Sequence, residues 1–325
     1  SGKISTSKEA LENSKHEGLM GYAKSLNAQK LLSTYVPILR QESIHPRYNV
    51  LVATGRTSCR KPNMQNPPRD GGFRECFKSR EGYYYVSADY SQIEALTLAQ
   101  LCLNYFGKSE LAKALQNGKD IHLWFGAKLG GMSYEEIETA YKAGNKNAKN
   151  LRQRAKGVNY GLPGGLGPAS LAEYLKGYGL DVSTDQARRY RNMWLETWPE
   201  MVLYFERAGK LTQFSPATIV HEYSERQRGN CGFTQACNTP FQGLAADGAK
   251  CALWEVVKEC YTGNSVLRTS RPVLFLHDEI MLESPYDYAE AAAARLSEIM
   301  VQQMRRFIPD IPVEAEPKIS DVWSK

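Results

Sequence analysis

Apolar positions along this chain change period several times, and each change predicts a different element. Residues 7–40 carry helical spacing, with Ser5, Thr6 or Ser7 placed to cap the run that begins Lys-Glu-Ala-Leu-Glu. Residues 46–80 lose that period and fill with Arg, Asn and Pro, which predicts loops with short strands. The segment "GYYYVSADYS" (82–91) is a β-prone run of Tyr and Val ending on an acid and a polar turn. Helical patterning then dominates from Gln92 to Leu211, interrupted by "LPGGLGP" (162–168). Strands return near 217–222, and a helix is predicted over about 240–260. A strand over 272–284 and an amphipathic helix over about 286–307 precede the extended tail "IPVEAEPKISDVW". A sheet, a helical insertion and the sheet again predict an α+β protein.

The 272–284 stretch, "PVLFLHDEIMLES", poses a physical problem. Two apolar runs, Val273–Leu276 and Ile280–Leu282, flank His277, Asp278 and Glu279. Three adjacent polar groups in a buried strand cost several kcal/mol unless something compensates them, on the order of 2–7 kcal/mol for each uncompensated group. Asp89 closes another β-prone run, so it can stand on a neighbouring strand, its carboxylate and that of Asp278 shared by divalent cations. By spacing alone, two unrelated edge acids fit as well.

Composition narrows the setting. The 325 residues are 42% hydrophobic and 23% charged, an ordinary globular profile with room for more than one subdomain. No stretch approaches the roughly 18 apolar residues of a membrane span, and the N-terminus has no apolar segment of a secretory signal. The seven cysteines include no C-x-x-C, so reduced thiols and a cytoplasmic setting are expected. A net charge of +6 hints at a polyanionic partner. The absence of an initiator Met suggests a piece of something longer.

Further stretches hold candidate chemistry. Arg152, Lys156 and Tyr160 are spaced four apart, so on a helix they share one face that could hold a triphosphate and cover a base; a solvated basic face has the same spacing. Residues 52–77 interleave Arg with Asn63, Gln65 and Asn66, side chains able to reach phosphates and base edges, or simply a basic surface loop. Asn238 and Gln242 lie four apart at the start of the predicted helix there, a pattern that by itself describes a capped helix.

Together, in this order, these segments resemble the motifs of family A DNA polymerases, the group of bacterial DNA polymerase I and its phage relatives. "DYSQIE" (89–94) is similar to motif A, "RQRAKGVNYG" (152–161) to motif B, and "HDE" (277–279) to motif C. "TGR…PNMQN", "NTPFQGLAAD" and "DIH" (120–122) match further segments, so the likeness runs from about Lys30 to the C-terminus.

The resemblance implies a right-hand polymerase fold. Its antiparallel-sheet palm would span 46–105 and 215–325, its helical fingers 106–214, and a truncated thumb 1–45. It implies template-directed addition of dNTPs to the 3′-hydroxyl of primer–template DNA by a monomer, with two Mg²⁺ ions and Mn²⁺ able to substitute. Asp89, Asp278 and the backbone carbonyl of Tyr90 would hold the metals, with Glu279 supporting near the primer end. Arg152 and Lys156 would grip phosphates with His122 and Gln92 nearby, Tyr160 would stack on the incoming nucleotide, and Glu94 would lie beneath its sugar. Arg56, Asn238 and Gln242 would read the minor groove, and His277 would touch the primer backbone, with Asn63, Gln65 and Asn66 also toward DNA.

The sequence departs from the family in places. Ala95-Leu96 stands where motif A continues Leu-Arg, and Gly164 where motif B carries a template-gating Tyr. Only "KLLSTYVPIL" (30–39) resembles a thumb, so weak hold on duplex DNA is expected, with neither proofreading nor 5′-nuclease activity. A binding module without catalysis has no need of both Asp89 and Asp278. Glu94 would crowd a 2′-hydroxyl and so speaks against an RNA polymerase; reverse transcription stays open.

Overall fold

A computed structural model describes residues 11, 14, 16–68 and 72–323. Eleven α-helices follow among these residues: α1 (Glu17–Lys30), α2 (Ile93–Phe106), α3 (Glu110–Gln116), α4 (Ile121–Gly130), α5 (Tyr134–Lys142), α6 (Lys146–Gly161), α7 (Pro168–Lys176), α8 (Thr184–Thr197), α9 (Glu200–Thr212), α10 (Phe233–Tyr261) and α11 (Ala289–Arg305). The strands are β1 (Arg47–Asn49), β2 (Ser58–Arg60), β3 (Tyr83–Tyr90), β4 (Ala217–Val220), β5 (Gln227–Cys231), β6 (Arg271–Leu276), β7 (Glu279–Pro285) and β8 (Ala315–Ser320). The α+β expectation holds. The candidate caps Ser5, Thr6 and Ser7 lie outside the described residues.

Four strands in the order β6-β7-β3-β8 form an antiparallel sheet that is covered on both faces. The strand period of two explains this. Val86, Ala88 and Tyr90 of β3 are buried in the main core, where the Tyr90 hydroxyl donates to the Met300 carbonyl of α11 at 2.7 Å. On the opposite face Tyr85 packs into a second cluster with Cys59, Met64, Met281 and Trp323. Asp89 belongs to that second face at the end of the strand, where the covering stops and the side chain is exposed. Within the predicted extended tail Ala315–Ser320 form β8, which completes the sheet beside β3.

Two predicted elements differ. The stretch 272–284 is a hairpin, β6 and β7, with Leu276 paired to Glu279 and His277-Asp278 making the turn between them. His277 and Asp278 are therefore turn residues rather than strand interior, yet both stay partly buried, and desolvation still acts on each of them. The helix expected from about 240 begins at Phe233 and runs through Pro240, so Asn238 and Gln242 sit inside it. The Asn238 amide donates back to the Thr234 carbonyl at 3.0 Å, so it caps nothing.

Helices α2–α9 form the insertion, and five of them start on a side-chain cap. Ser109, Asp120, Ser133, Asn145 and Ser183 each accept hydrogen bonds from backbone N–H groups of the first turn that follows. Ser133 with Glu136 and Ser183 with Gln186 complete reciprocal capping boxes. The "LPGGLGP" break is physical: a short 3₁₀ turn follows α6, Gly165 takes φ +77°, and Pro168 opens α7. Among the described residues no helix is long and apolar enough to cross a membrane. The cysteines are free thiols.

Candidate active site

Asp89 sits at the end of β3, paired across the ladder with Glu279 of β7, so the two side chains are neighbours on one face. Asp278 precedes Glu279 in the β6–β7 turn, where its N–H donates to the Leu276 carbonyl at 2.6 Å. His277 makes that turn with φ +59°, a left-handed conformation rare outside glycine. Gln92, just beyond β3, has φ +53° and leads into α2. Two non-glycine residues in this region, each costing about 1–3 kcal/mol, flank the acid pair on both chain segments.

The acids repel. Burial and then the Asp89 carboxylate raise the Asp278 pKa to about 7, with Arg56 partly opposing them. Such a pair fits a hard divalent cation, which would neutralise both carboxylates. Among the described residues no group of three or more His, Cys, Asp or Glu could enclose an ion unaided. The remaining oxygens would have to come from backbone, water or a phosphate-bearing ligand, the usual arrangement for Mg²⁺.

A cleft of about 920 Å³ opens above this floor. The β3–α2 segment and the β6–β7 turn contribute Asp89, Tyr90, Gln92, Glu94 and Asp278 to its lining, the floor. Helices α4 and α6 contribute His122, Arg152, Lys156 and Tyr160, the wall, and α10 contributes Asn238 and Gln242. On α6, Ala148, Leu151, Ala155 and Val158 are buried, which turns Arg152, Lys156 and Tyr160 toward the cleft. The Lys156 ammonium lies 5.8 Å from the Tyr160 ring centroid. Burial, then Glu94, raises the Tyr160 pKa to about 12, so its hydroxyl is a donor at neutral pH.

The wall is internally bonded. Asp120 divides its two oxygens: Oδ1 caps α4 through the His122 and Leu123 N–H groups at 2.7 and 3.0 Å, while Oδ2 takes both Nε and Nη2 of Arg152 at 2.8 Å. His122 is buried, and its Nδ1 lies 3.0 Å from the Asn159 amide nitrogen. Trp194 Nε1, which can only donate, bonds Asn159 Oδ1 at 2.9 Å. That orients the Asn159 amide as donor to His122, so the imidazole proton sits on Nε2, an atom without a protein partner among the described residues. Burial lowers the His122 pKa to about 4, with Arg152 and Lys156 adding to the effect and Asp120 opposing it. His122 is thus a neutral donor on the cleft wall.

The other predicted residues are not part of the cleft lining, and Asn63 lines a separate pocket beside Ser33 and Lys61. Arg56 forms an ion pair with Glu94. His277 and Glu279 flank Asp278 in the chain. Gln65 is buried and donates its amide to Thr57 Oγ1 at 2.8 Å and the Phe275 carbonyl at 3.2 Å, tying its loop to β6. Asn63 Oδ1 accepts from the Gln65 N–H, and the Asn66 carbonyl accepts from the Tyr35 hydroxyl. Gly164 lies against Asn238: a Cβ there would come 2.7 Å from the Asn238 amide nitrogen.

Sequence reasoning missed several cleft groups. Tyr174 and Tyr178 line the cleft with their hydroxyls 3.2 Å apart, and the Tyr174 ring leaves no room for a Cβ on Gly161. Their i, i+4 spacing after Pro168 was a usable signal. Asn159 and Trp194 gave none, because their role depends on a tertiary contact between two helices.

The family model described as DNA polymerase family A matches residues 1–325. The chain is 30% identical over 291 residues to DNA polymerase I of Aquifex aeolicus (strain VF5), covering 88% of this chain and 47% of that protein. It is 30% identical over 345 residues to the thermostable DNA polymerase I of Thermus filiformis, covering 99% of this chain and 38% of that one. This chain therefore spans less than half the length of these curated relatives. Among solved structures, the POL domain of Pol1 from M. smegmatis, in complex with DNA primer-template and dNTP, superposes with a TM-score of 0.74. That match has 23% identity and covers 99% of this chain and 56% of that one, a likeness in fold that fits the right-hand architecture. By its family match over the whole sequence, this chain belongs to DNA polymerase family A.

Proposed function

We propose that this chain adds dNTPs to the 3′-hydroxyl of a primer, directed by a DNA template. The observation that carries the reading is one cleft lined by Asp89 and Asp278 together with Arg152, Lys156 and Tyr160. An acid floor and a cationic, aromatic wall suit a metal-bound triphosphate whose base needs stacking. The reading assigns 46–105 and 215–325 to the palm, 106–214 to the fingers and 1–45 to a reduced thumb.

The floor fits two Mg²⁺ ions, or Mn²⁺, held by Asp89, Asp278 and the Tyr90 backbone carbonyl; bound there, they would make the primer hydroxyl more acidic and offset phosphate charge. Arg152 and Lys156 bind the outer phosphates and stabilise the charge that grows on the departing pyrophosphate. Arg152 exchanges Asp120 for the phosphate as it does so. His122 Nε2–H donates to a phosphate oxygen, and Gln92, whose Oε1 lacks a protein partner among the described residues, orients the same end of the nucleotide. Tyr160 stacks on the incoming base and sugar. Glu94, held by Arg56, fills the space below C2′ and so disfavours ribonucleotides.

Arg56, Asn238 and Gln242 take minor-groove acceptors common to all Watson–Crick pairs. His277 contacts the primer backbone, Glu279 supports the primer end, and Asn63 and Asn66 lie toward the duplex. Gln65 acts by holding their loop.

Primer extension with dNTPs or rNTPs, on DNA and RNA templates with and without Mg²⁺, tests the reading. Templated, Mg²⁺-dependent extension with dNTPs strongly preferred is the expected result. Tight primer–template binding with no extension in Mg²⁺ or Mn²⁺ would overturn it and leave a binding module.

A further inference from the structure

The β4–β5 hairpin closes through a tight turn over residues 221–226, in which the His221 N–H donates to the Arg226 carbonyl and the Glu225 N–H to the His221 carbonyl, both at 2.9 Å. Neither end of this turn lines the cleft. Each end instead sits on a glycine beside a residue assigned to the duplex. A Cβ built on Gly55 would overlap the Arg226 guanidinium, and Arg56 follows Gly55. A Cβ built on Gly243 would overlap the His221 ring, and Gln242 precedes Gly243.

The turn is anchored where it touches. Arg226 Nη2 bonds Asp247 Oδ1 of α10 at 2.5 Å, and Ser224 Oγ donates to Asp247 Oδ2 at 2.7 Å, so the carboxylate is satisfied on both oxygens. Asp247 and His221 are buried. Gly55 takes φ +84° and donates its N–H to the Val52 carbonyl at 2.8 Å, which fixes the bend from which Arg56 emerges. Lys250 of α10 adds a second tie to this loop through the Val50 carbonyl at 3.3 Å. One six-residue turn thus holds two segments distant in sequence, the 50–56 loop and the middle of α10, in a fixed relation.

We propose that this turn is a positioning element for template-dependent synthesis: Arg226 sets Arg56, and His221 sets Gln242, so the two reach the primer–template at one separation. This rests on the reading that Arg56 and Gln242 contact the duplex. A misplacement on the order of 1 Å far from the chemistry can cost about a hundredfold in rate, so a buttress without ligand contact can govern catalysis.

The test uses extension kinetics, primer–template affinity and thermal midpoints of the full chain. Arg226→Ala should lower kcat for matched primers about tenfold while leaving primer–template Kd within about twofold, and adding Arg56→Ala should cost little more, because contacting or coupled residues are non-additive. Gly243 lies inside a helix without positive φ, so Gly243→Ala would ordinarily favour the helix. Here it should lower kcat about tenfold through the His221 clash, and His221→Ala in the same chain should restore activity to within about threefold of His221→Ala alone. This rescue carries the test if Arg226→Ala fails to fold. Full additivity of Arg226→Ala with Arg56→Ala, or a Gly243→Ala variant that His221→Ala does not rescue, overturns the positioning role alone. Unaltered kinetics in both Arg56→Ala and Gln242→Ala would overturn the duplex reading and this one with it.

Discussion

The floor and the wall of the cleft hold their charges in opposite ways. On the floor, Asp89 near the end of β3 and Asp278 in the β6–β7 turn repel each other, and the Asp278 pKa rises to about 7. The backbone around them is tied down by ladders and by the left-handed residues Gln92 and His277. On the wall, Arg152 already has Asp120, and His122 already has Asn159. A floor whose charges oppose one another suits a cation, whereas on the wall Arg152 would have to exchange Asp120 for a phosphate while His122 Nε2–H still has a proton to donate. A floor of opposed charges and an internally bonded wall line the same cleft, and disabling either should have distinct signatures.

The largest effect should come from the floor. Asp89→Ala or Asp278→Ala should lower nucleotide addition by at least about a thousandfold, some 4 kcal/mol, with primer–template affinity largely retained because phosphate contacts elsewhere supply it. In chelator, Asp278→Asn should raise the thermal midpoint, since the opposed charge is gone. Either single variant retaining activity within about tenfold of wild type would end the metal assignment.

On the wall, the protonated Tyr160 hydroxyl is the next lever. A 2′,3′-dideoxynucleotide lacks the 3′-hydroxyl, and the phenol oxygen can restore a hydrogen bond in the gap that a phenyl ring cannot. The wild-type chain should accept dideoxy terminators nearly as well as dNTPs, and Tyr160→Phe should discriminate against them by roughly 2–4 kcal/mol, somewhat above the cost of a neutral unsatisfied group. Competition between ddNTP and dNTP on one template measures it. Equal selectivity in both proteins would leave Tyr160 a stacking ring only.

Lys156 carries a charge for which no carboxylate partner is seen among the described salt bridges, unlike Arg152, so it should respond simply. Lys156→Ala should cost about 2–3 kcal/mol in kcat/KM, the scale for losing one preorganised donor, with DNA affinity little changed. A loss seen mainly as weaker DNA binding would move Lys156 to a duplex-contacting face.

How far the sequence revealed these halves follows from the range of the interactions. The wall face was legible because Arg152, Lys156 and Tyr160 repeat at the helix period, and Asp89 because it ends a β-prone run. The hairpin was not, because a two-residue turn normally declares itself with Gly or Asn, and here His277 takes the left-handed conformation instead. Pro240 likewise reads as a first-turn residue, yet α10 begins at Phe233 and carries it inside. The Trp194–Asn159–His122 chain joins three helices and leaves no local pattern. The family resemblance supplied the roles that spacing left open.

That buried chain yields the smallest effect, and one whose sign can be worked out. The His122 pKa falls from 6.5 to about 4 because burial disfavours the imidazolium, with Arg152 and Lys156 acting the same way and Asp120 opposing. The unfolded chain takes up a proton near its ordinary value, while the folded chain refuses it until about pH 4. The stability present above about pH 6.5 is therefore lost progressively as pH falls through the unfolded value, and the loss levels off below the folded one. By pH 5 this single group should account for about 2 kcal/mol of lost stability. Urea unfolding at pH 7.5 and pH 5 should show the difference in the wild type and a smaller one in His122→Gln, which cannot charge. Trp194→Phe should remove the donor that orients Asn159, costing about 1 kcal/mol at either pH. An identical pH slope in wild type and His122→Gln would mean that His122 already protonates like an exposed histidine, and the neutral donor on the wall would be lost with it.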